Sequence, residues 1–229
     1  MATRWRASQV WNAAIVLVVL VSTTTQLVLV VRGVNVLVEA DGTVASTPMR
    51  VVRFFSYFTI QSNLLAMVTA ATIVLRPDRD GRWWRIARVA AVVGMTVTFF
   101  VYYIALRPIL DLHGVTKATD VAFHYVAPLM TVGGWLLFGP RPRIDPGSLV
   151  RHLVWPVAYL GYITVLGAVT EWYPYPFIDA DALGYAKALF HALLVTALLL
   201  AVGGAYWYLD KRLREFPKPS LRTEILSAG

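Results

Sequence analysis

RFFSYFTIQSNLLAMVTAATIVL, residues 53–75, is the stretch on which the fold turns. Beyond Arg53 it carries no charge, and a bilayer core about 30 Å thick takes roughly 20 apolar residues to cross as a helix. Yet Ser56, Thr59, Gln61, Ser62 and Asn63 crowd its first turns. Polar side chains in hydrocarbon are costly unless they find partners. The stretch predicts a spanning helix and, near one end of it, a site.

Working outward, the pattern recurs. Of 229 residues 58% are hydrophobic and only 15% charged, against about a quarter charged in a water-soluble domain. Six segments approach or reach spanning length, at about 10–31, 54–75, 86–106, 121–138, 153–170 and 186–209,. Little sequence lies between them. The expected fold class is all-α, a polytopic integral membrane protein of six transmembrane helices forming one domain over 1–229. The first segment follows Arg4 and Arg6 but is too long for a signal h-region and lacks a small-residue cleavage site, so it reads as a retained span. There are no cysteines, hence no disulfide or thiolate chemistry.

Short cytoplasmic loops retain Lys and Arg. The N-terminus, the second loop (Arg76, Arg79, Arg82, Arg85, Arg88), the fourth loop and the tail together hold 15 basic residues, and the other side holds six. Both termini are therefore expected in the cytoplasm. The first outer loop, with two β-branched runs around Asp41-Gly42, predicts a small hairpin. The last, EWYPYPFIDADALGY at 171–185, has the aromatic and proline content of an interfacial cap,. Neither a repeat nor a broken-helix pair of the transporter kind appears. Arg outnumbers Lys 17 to 4, which suits phosphate headgroups, and no basic helix or aromatic-basic repeat of a nucleic-acid binder is present.

With this orientation, polar groups from five spans fall at one outer level. Thr59 lies about 7 Å into the second span at 1.5 Å per residue; His124 lies one turn into the fourth and His191 at a similar depth in the sixth. Tyr102 and Tyr103 end the third span, and Glu171 and Trp172 end the fifth. Ser56, Thr59 and Asn63 form one stripe, with Ser62 adjacent and Gln61 pointing elsewhere. Asp120 precedes His124 by four residues and can orient its imidazole. Pro128 lacks the N–H that the His124 carbonyl needs, which predicts a kink there.

Plainer roles stand beside these. Ser and Thr in membrane helices commonly bond back to the preceding turn. Tyr102, Tyr103 and Trp172 are also interfacial belt residues, and His191 is also a packing residue. His113 and His152, at loop or headgroup level, need no special role. Gly133-Gly134 and Gly203-Gly204 predict close helix contacts.

Three short pieces resemble a known family. YFTIQSN at 57–63, FHYVAP at 123–128 and TEWYPYPF at 170–177 are similar to motifs of the androgen-induced and androgen-dependent multi-pass membrane proteins, which are intramembrane threonine hydrolases, and of their six-span bacterial relatives. The resemblance spans nearly the whole chain. It implies a hydrolase of fatty acid esters of hydroxy fatty acids, with Thr59 as nucleophile and His124 as base. The His-to-Pro spacing is one residue shorter here, WYPYPF carries an extra residue, and Ser56 in RFFS is an alternative match to the family threonine.

The expected chemistry follows. A Thr hydroxyl needs a base to take its proton during attack, and a neutral imidazole in hydrogen-bond reach can do so and later protonate the leaving alcohol. Asp120 is the candidate orienter. Asn63 is the first oxyanion candidate and Tyr102 or Tyr103 the second, with Ser62 and His191 as further supporting candidates. The apolar lower bundle would hold the acyl chain. The substrate class is a membrane lipid or fatty-acid ester, with the bilayer as surroundings, no nucleic-acid partner and no cofactor; the four histidines do not cluster for a metal. The expected location is a bacterial inner membrane, with the site near its outer face. A non-enzymatic lipid binder, a transporter, and an acyltransferase using the same Thr/His pair are the competing readings.

Overall fold

The computed structural model describes residues 2–34 and 44–213, and among them the regular structure is helical. In chain order the α-helices are α1 (Ala2–Val31), α2 (Thr47–Phe55), α3 (Phe58–Leu75), α4 (Arg82–Val101), α5 (Gly114–Val121), α6 (Ala127–Phe138), α7 (Pro146–Arg151), α8 (Val154–Thr170), α9 (Ala180–Leu183) and α10 (Tyr185–Arg212). A π-helical turn, Tyr102–Leu106, extends α4, and another, Ala122–Val126, joins α5 to α6. Six continuous helices are long and apolar enough to cross a membrane: Arg4–Val31, Phe58–Leu75, Arg82–Ile109, Gly114–Phe138, Pro146–Thr170 and Tyr185–Arg212. The hairpin expected around Asp41-Gly42 and the basic residues beyond Leu213 lie outside the described residues.

Two boundaries differ from the sequence reading in ways that matter for the site. The second span starts at Phe58, not at 54, because the chain breaks at Ser56 and Tyr57. Ser56 caps α2 and Tyr57 is extended, with φ −72° and ψ 128°. The Ser56 carbonyl, which a continuous helix would bond internally, accepts the Tyr159 hydroxyl at 3.0 Å instead, so a tertiary contact replaces a local one. Ser56 and Thr59 therefore belong to different helices and share no stripe. The fourth span starts at Gly114, so His124 stands ten residues in, about 15 Å at 1.5 Å per residue,, not one turn. Thr59 is only the second residue of α3. The two meet because the fourth span projects beyond the start of α3.

Near Pro128, where a kink was expected, the helix widens into the π turn Ala122–Val126 that contains His124,. Arg88 also departs from its loop assignment. It is buried within α4.

Packing is tightest around α4, whose Val92, Val93, Val97 and Met95 are wholly enclosed. One side faces Trp135, Leu199 and Tyr206, and another faces Ile15, Val19, Ala66 and Ala70. By contrast Leu17, Val68, Val157 and Leu193 are more than half exposed, an apolar outer belt of the kind a bilayer covers. At the end of the bundle where α1 begins and α10 finishes, Asp80 pairs with Arg85 at 2.7 Å and contacts Arg143. The Arg85 hydrogen bond holds the Asp80 carboxyl at about 2, below its ordinary 3.8. The Asp210 carboxylate accepts the backbone N–H groups of Arg143 and Ile144 at 2.7 Å each. These contacts tie three segments together at the terminal end.

The glycine pairs divide. A Cβ on Gly134 would fall 2.9 Å from Trp11 Nε1, and one on Gly203 would fall 3.2 Å from Leu149 Cδ1, whereas Gly204 faces open space. Trp11 also donates to the Met130 carbonyl at 2.8 Å, so the indole cannot retreat without losing that bond. Gly134→Leu is expected to destabilise the protein by about 1–3 kcal/mol, read as a lower Tm in detergent, while Gly204→Ala leaves Tm unchanged or slightly raised.

Candidate active site

At the end of the bundle away from the termini, Thr59, the second residue of α3, is buried to 7% exposure. Its Oγ1 lies 3.3 Å from His124 Nε2, the loose hydrogen-bond distance common in sites without substrate. The other ring nitrogen, Nδ1, lies 2.9 Å from Asp120 Oδ1 and 3.0 Å from the Asp120 carbonyl oxygen. Two acceptors at Nδ1 fix the proton there and leave the Nε2 lone pair facing the hydroxyl. Asp120 in turn accepts the Tyr102 hydroxyl, and the Tyr102 ring stacks on the imidazole at a 3.9 Å centroid separation and 14°. Both π turns contribute here: one carries Tyr102 and the other His124, and the imidazole is clamped by a ring above and a carboxylate behind.

Tyr175, which was not among the residues expected at the site, completes the cluster. The Thr59 N–H donates to its hydroxyl oxygen at 3.2 Å, and the same oxygen stands 3.4 Å from Thr59 Oγ1. Burial raises the phenol pKa, so the group keeps its proton. Pro174 and Pro176 flank it, which holds the backbone extended, and its ring stacks on Phe177 at 5.2 Å. The signal lay in TEWYPYPF: a tyrosine between two prolines cannot adapt its backbone, so it is well suited to hold one position. Tyr57, which packs edge-on against both Trp172 and Tyr175 at 5.7 Å, is pushed to about 12 by burial.

The remaining candidates lie elsewhere or are occupied. Asn63 is fully buried, and its amide N–H groups donate to the carbonyls of Thr59 at 2.9 Å and Phe123 at 3.2 Å. It stitches α3 to the His124 turn and has no donor left for an oxyanion. Ser62 is fully buried, with its hydroxyl against Gly94 of α4. Tyr103 is 60% exposed and stacks on Phe99, pointing out of the bundle. His191 Nδ1 lies 2.7 Å from the Phe177 carbonyl, so it braces the loop that carries Tyr175. Ser56 donates to the Val52 carbonyl at 2.7 Å and bonds Tyr162 at 2.7 Å, so its hydroxyl is engaged by a carbonyl and a phenol. His152, expected at headgroup level, is buried at the foot of α8 and bonds the Leu149 carbonyl.

Two cavities meet at Thr59. One, of about 440 Å3, is lined by His124, Asp120, Gln26, Arg53 and Trp172. The other, of about 160 Å3, runs between α4, α8 and α10 and has no charged side chain in its wall. Thr59, Tyr102 and Tyr175 line both. Among the described residues, no three His, Asp or Glu side chains group so as to hold a metal ion. Comparison of the chain with family models, with curated proteins and with solved structures finds no match.

Proposed function

We propose that this chain is an intramembrane threonine hydrolase acting on lipid esters, with fatty acid esters of hydroxy fatty acids as the substrate class, as its resemblance to the androgen-induced and androgen-dependent family implies. The observation that carries the reading is the 3.3 Å approach of Thr59 Oγ1 to an imidazole whose other nitrogen is held by Asp120. Hydroxyl, imidazole and carboxylate in that order are the parts of a nucleophile, its base and the base's orienter.

His124 Nε2 takes the Thr59 proton as Oγ1 bonds to the ester carbonyl carbon. The carbonyl oxygen becomes an oxyanion, and the Tyr175 hydroxyl, beside both the Thr59 nitrogen and Oγ1, donates to it. Collapse breaks the bond to the alcohol oxygen, which receives the proton from His124. Water then attacks the acyl-threonine with the same imidazole as base, releasing the acid and restoring Thr59. The excess of Lys and Arg at the terminal end supports a reading with both termini in the cytoplasm and the site near the outer face of a bacterial inner membrane.

A fluorophosphonate probe tests this directly. Purified wild-type protein is expected to acquire the probe's mass on the peptide containing Thr59, and Thr59→Ala to acquire none. Equal labelling of both proteins, or none of either, counts against a nucleophilic threonine and favours a lipid-binding role for the two cavities.

A further inference from the structure

The two cavities at Thr59 are chemically unlike, and the catalytic pair is not shared equally between them. His124 and Asp120 line the larger cavity only; the smaller one is lined by Thr59 and Tyr175 but not by the imidazole. The origin of the smaller cavity lies in how α8 is held. Trp155 stacks on Phe58 at 4.5 Å and donates to Gln61 at 3.0 Å, and Tyr159 and Tyr162 reach Ser56 through their hydroxyls. Large rings thus hold α8 to the start of α3, and an apolar slot remains between α8 and α10. Val157 and Leu200 line that slot and are 65% and 52% exposed, so it opens on the apolar flank of the bundle.

Resting on the proposed acyl transfer, we infer that the ester lies across Thr59 in one direction only, with its acyl chain in the slot between α4, α8 and α10 and its alcohol portion in the His124 cavity. The reason is the path of one proton. The hydrogen removed from Thr59 rests on Nε2 and must pass to the alcohol oxygen as the C–O bond breaks, so that oxygen has to be on the His124 side of the carbonyl carbon. The acyl chain, on the other side of that carbon, is then directed into the slot. An apolar chain finds no charged side chain there. After the alcohol departs, the vacated cavity, lined by Gln26, Arg53, Asp120 and His124, suits the water that must replace it within reach of the same nitrogen. In the reverse orientation the leaving oxygen would face the slot, away from the imidazole that holds the Thr59 proton.

Thr196 stands midway along the α10 side of the slot, between Ala192 and Leu200. It lies one turn beyond Ala192 on α10, both line the slot, and its hydroxyl is spent on the Ala192 carbonyl at 2.8 Å. From Ala192 to Leu200 the slot follows α10 for roughly 12 Å at 1.5 Å per residue, so a phenyl group at 196 divides it.

The test uses two crossed series of esters with purified protein: p-nitrophenyl butanoate against p-nitrophenyl dodecanoate, and methyl against dodecyl esters of one acid. Thr196→Phe is expected to lower kcat/KM for the dodecanoate about tenfold relative to the butanoate, with the alcohol series unchanged. Leu110→Trp, in the wall of the His124 cavity, is expected to do the converse. If Thr196→Phe fails to fold, Ala192→Leu carries the same measurement. A shift in the alcohol series with Thr196→Phe, or unchanged acyl preference in both slot variants, overturns the orientation while the hydrolase reading stands. Absence of any Thr59-dependent hydrolysis by the wild type overturns both.

Discussion

Thr59→Ala is expected to reduce kcat for lipid-ester hydrolysis by at least about a thousandfold, and His124→Ala by a similar factor. The double variant is expected to be no slower than either single one, because in the proposed reaction nucleophile and base act on one proton and removing either abolishes the same step. Thr59→Ser keeps a hydroxyl at the same Cβ and should retain measurable turnover. Ser56→Ala is the informative control. Its hydroxyl already donates to Val52 and bonds Tyr162, so its loss should leave the rate within a few-fold of wild type. The measurement is steady-state hydrolysis in detergent micelles, with Tm as a check on folding. Full activity in Thr59→Ala together with loss in Ser56→Ala would transfer the nucleophile to Ser56.

Tyr175→Phe should lower kcat roughly a hundredfold and leave KM nearly unchanged. The phenyl ring keeps the Phe177 stack and the edge contact with Tyr57, so the substitution removes little besides the hydroxyl. A donor aimed at charge that develops only during attack contributes to kcat and not to substrate binding. Asn63→Ala makes the useful contrast. Asn63 bridges the Thr59 and Phe123 carbonyls and offers nothing to substrate, so its removal should appear first as a lower Tm. If instead Asn63→Ala lost kcat at full stability and Tyr175→Phe did not, the oxyanion assignment would revert to Asn63.

The expectation that polar side chains from several spans gather near one end was legible because burial in hydrocarbon leaves so few options for a hydroxyl or an imidazole. Thr59, His124, Asp120 and Tyr102 do stand together. The details of that meeting were less legible. The depth argument placed His124 one turn into its helix, whereas it is ten residues in, and the assumed stripe from Ser56 through Asn63 is broken at Tyr57. A break whose freed carbonyl is taken up by the Tyr159 hydroxyl more than a hundred residues away leaves no local mark. By position Asn63 stood first as oxyanion donor, Tyr102 or Tyr103 second and Ser62 behind them, and only their partners in three dimensions set Asn63, Ser62 and Tyr103 apart from Tyr175.

Six apolar segments of spanning length, their helical state and the asymmetry of Lys and Arg between loops are properties of the chain alone, because a helix satisfies its own backbone and hydropathy is a sum over residues. Which hydroxyl faces the imidazole, which tyrosine stands beside it and where space remains unfilled depend on contacts between segments far apart in sequence. Those were decided only when α8 packed through its aromatic rings and two π turns brought Tyr102 onto His124.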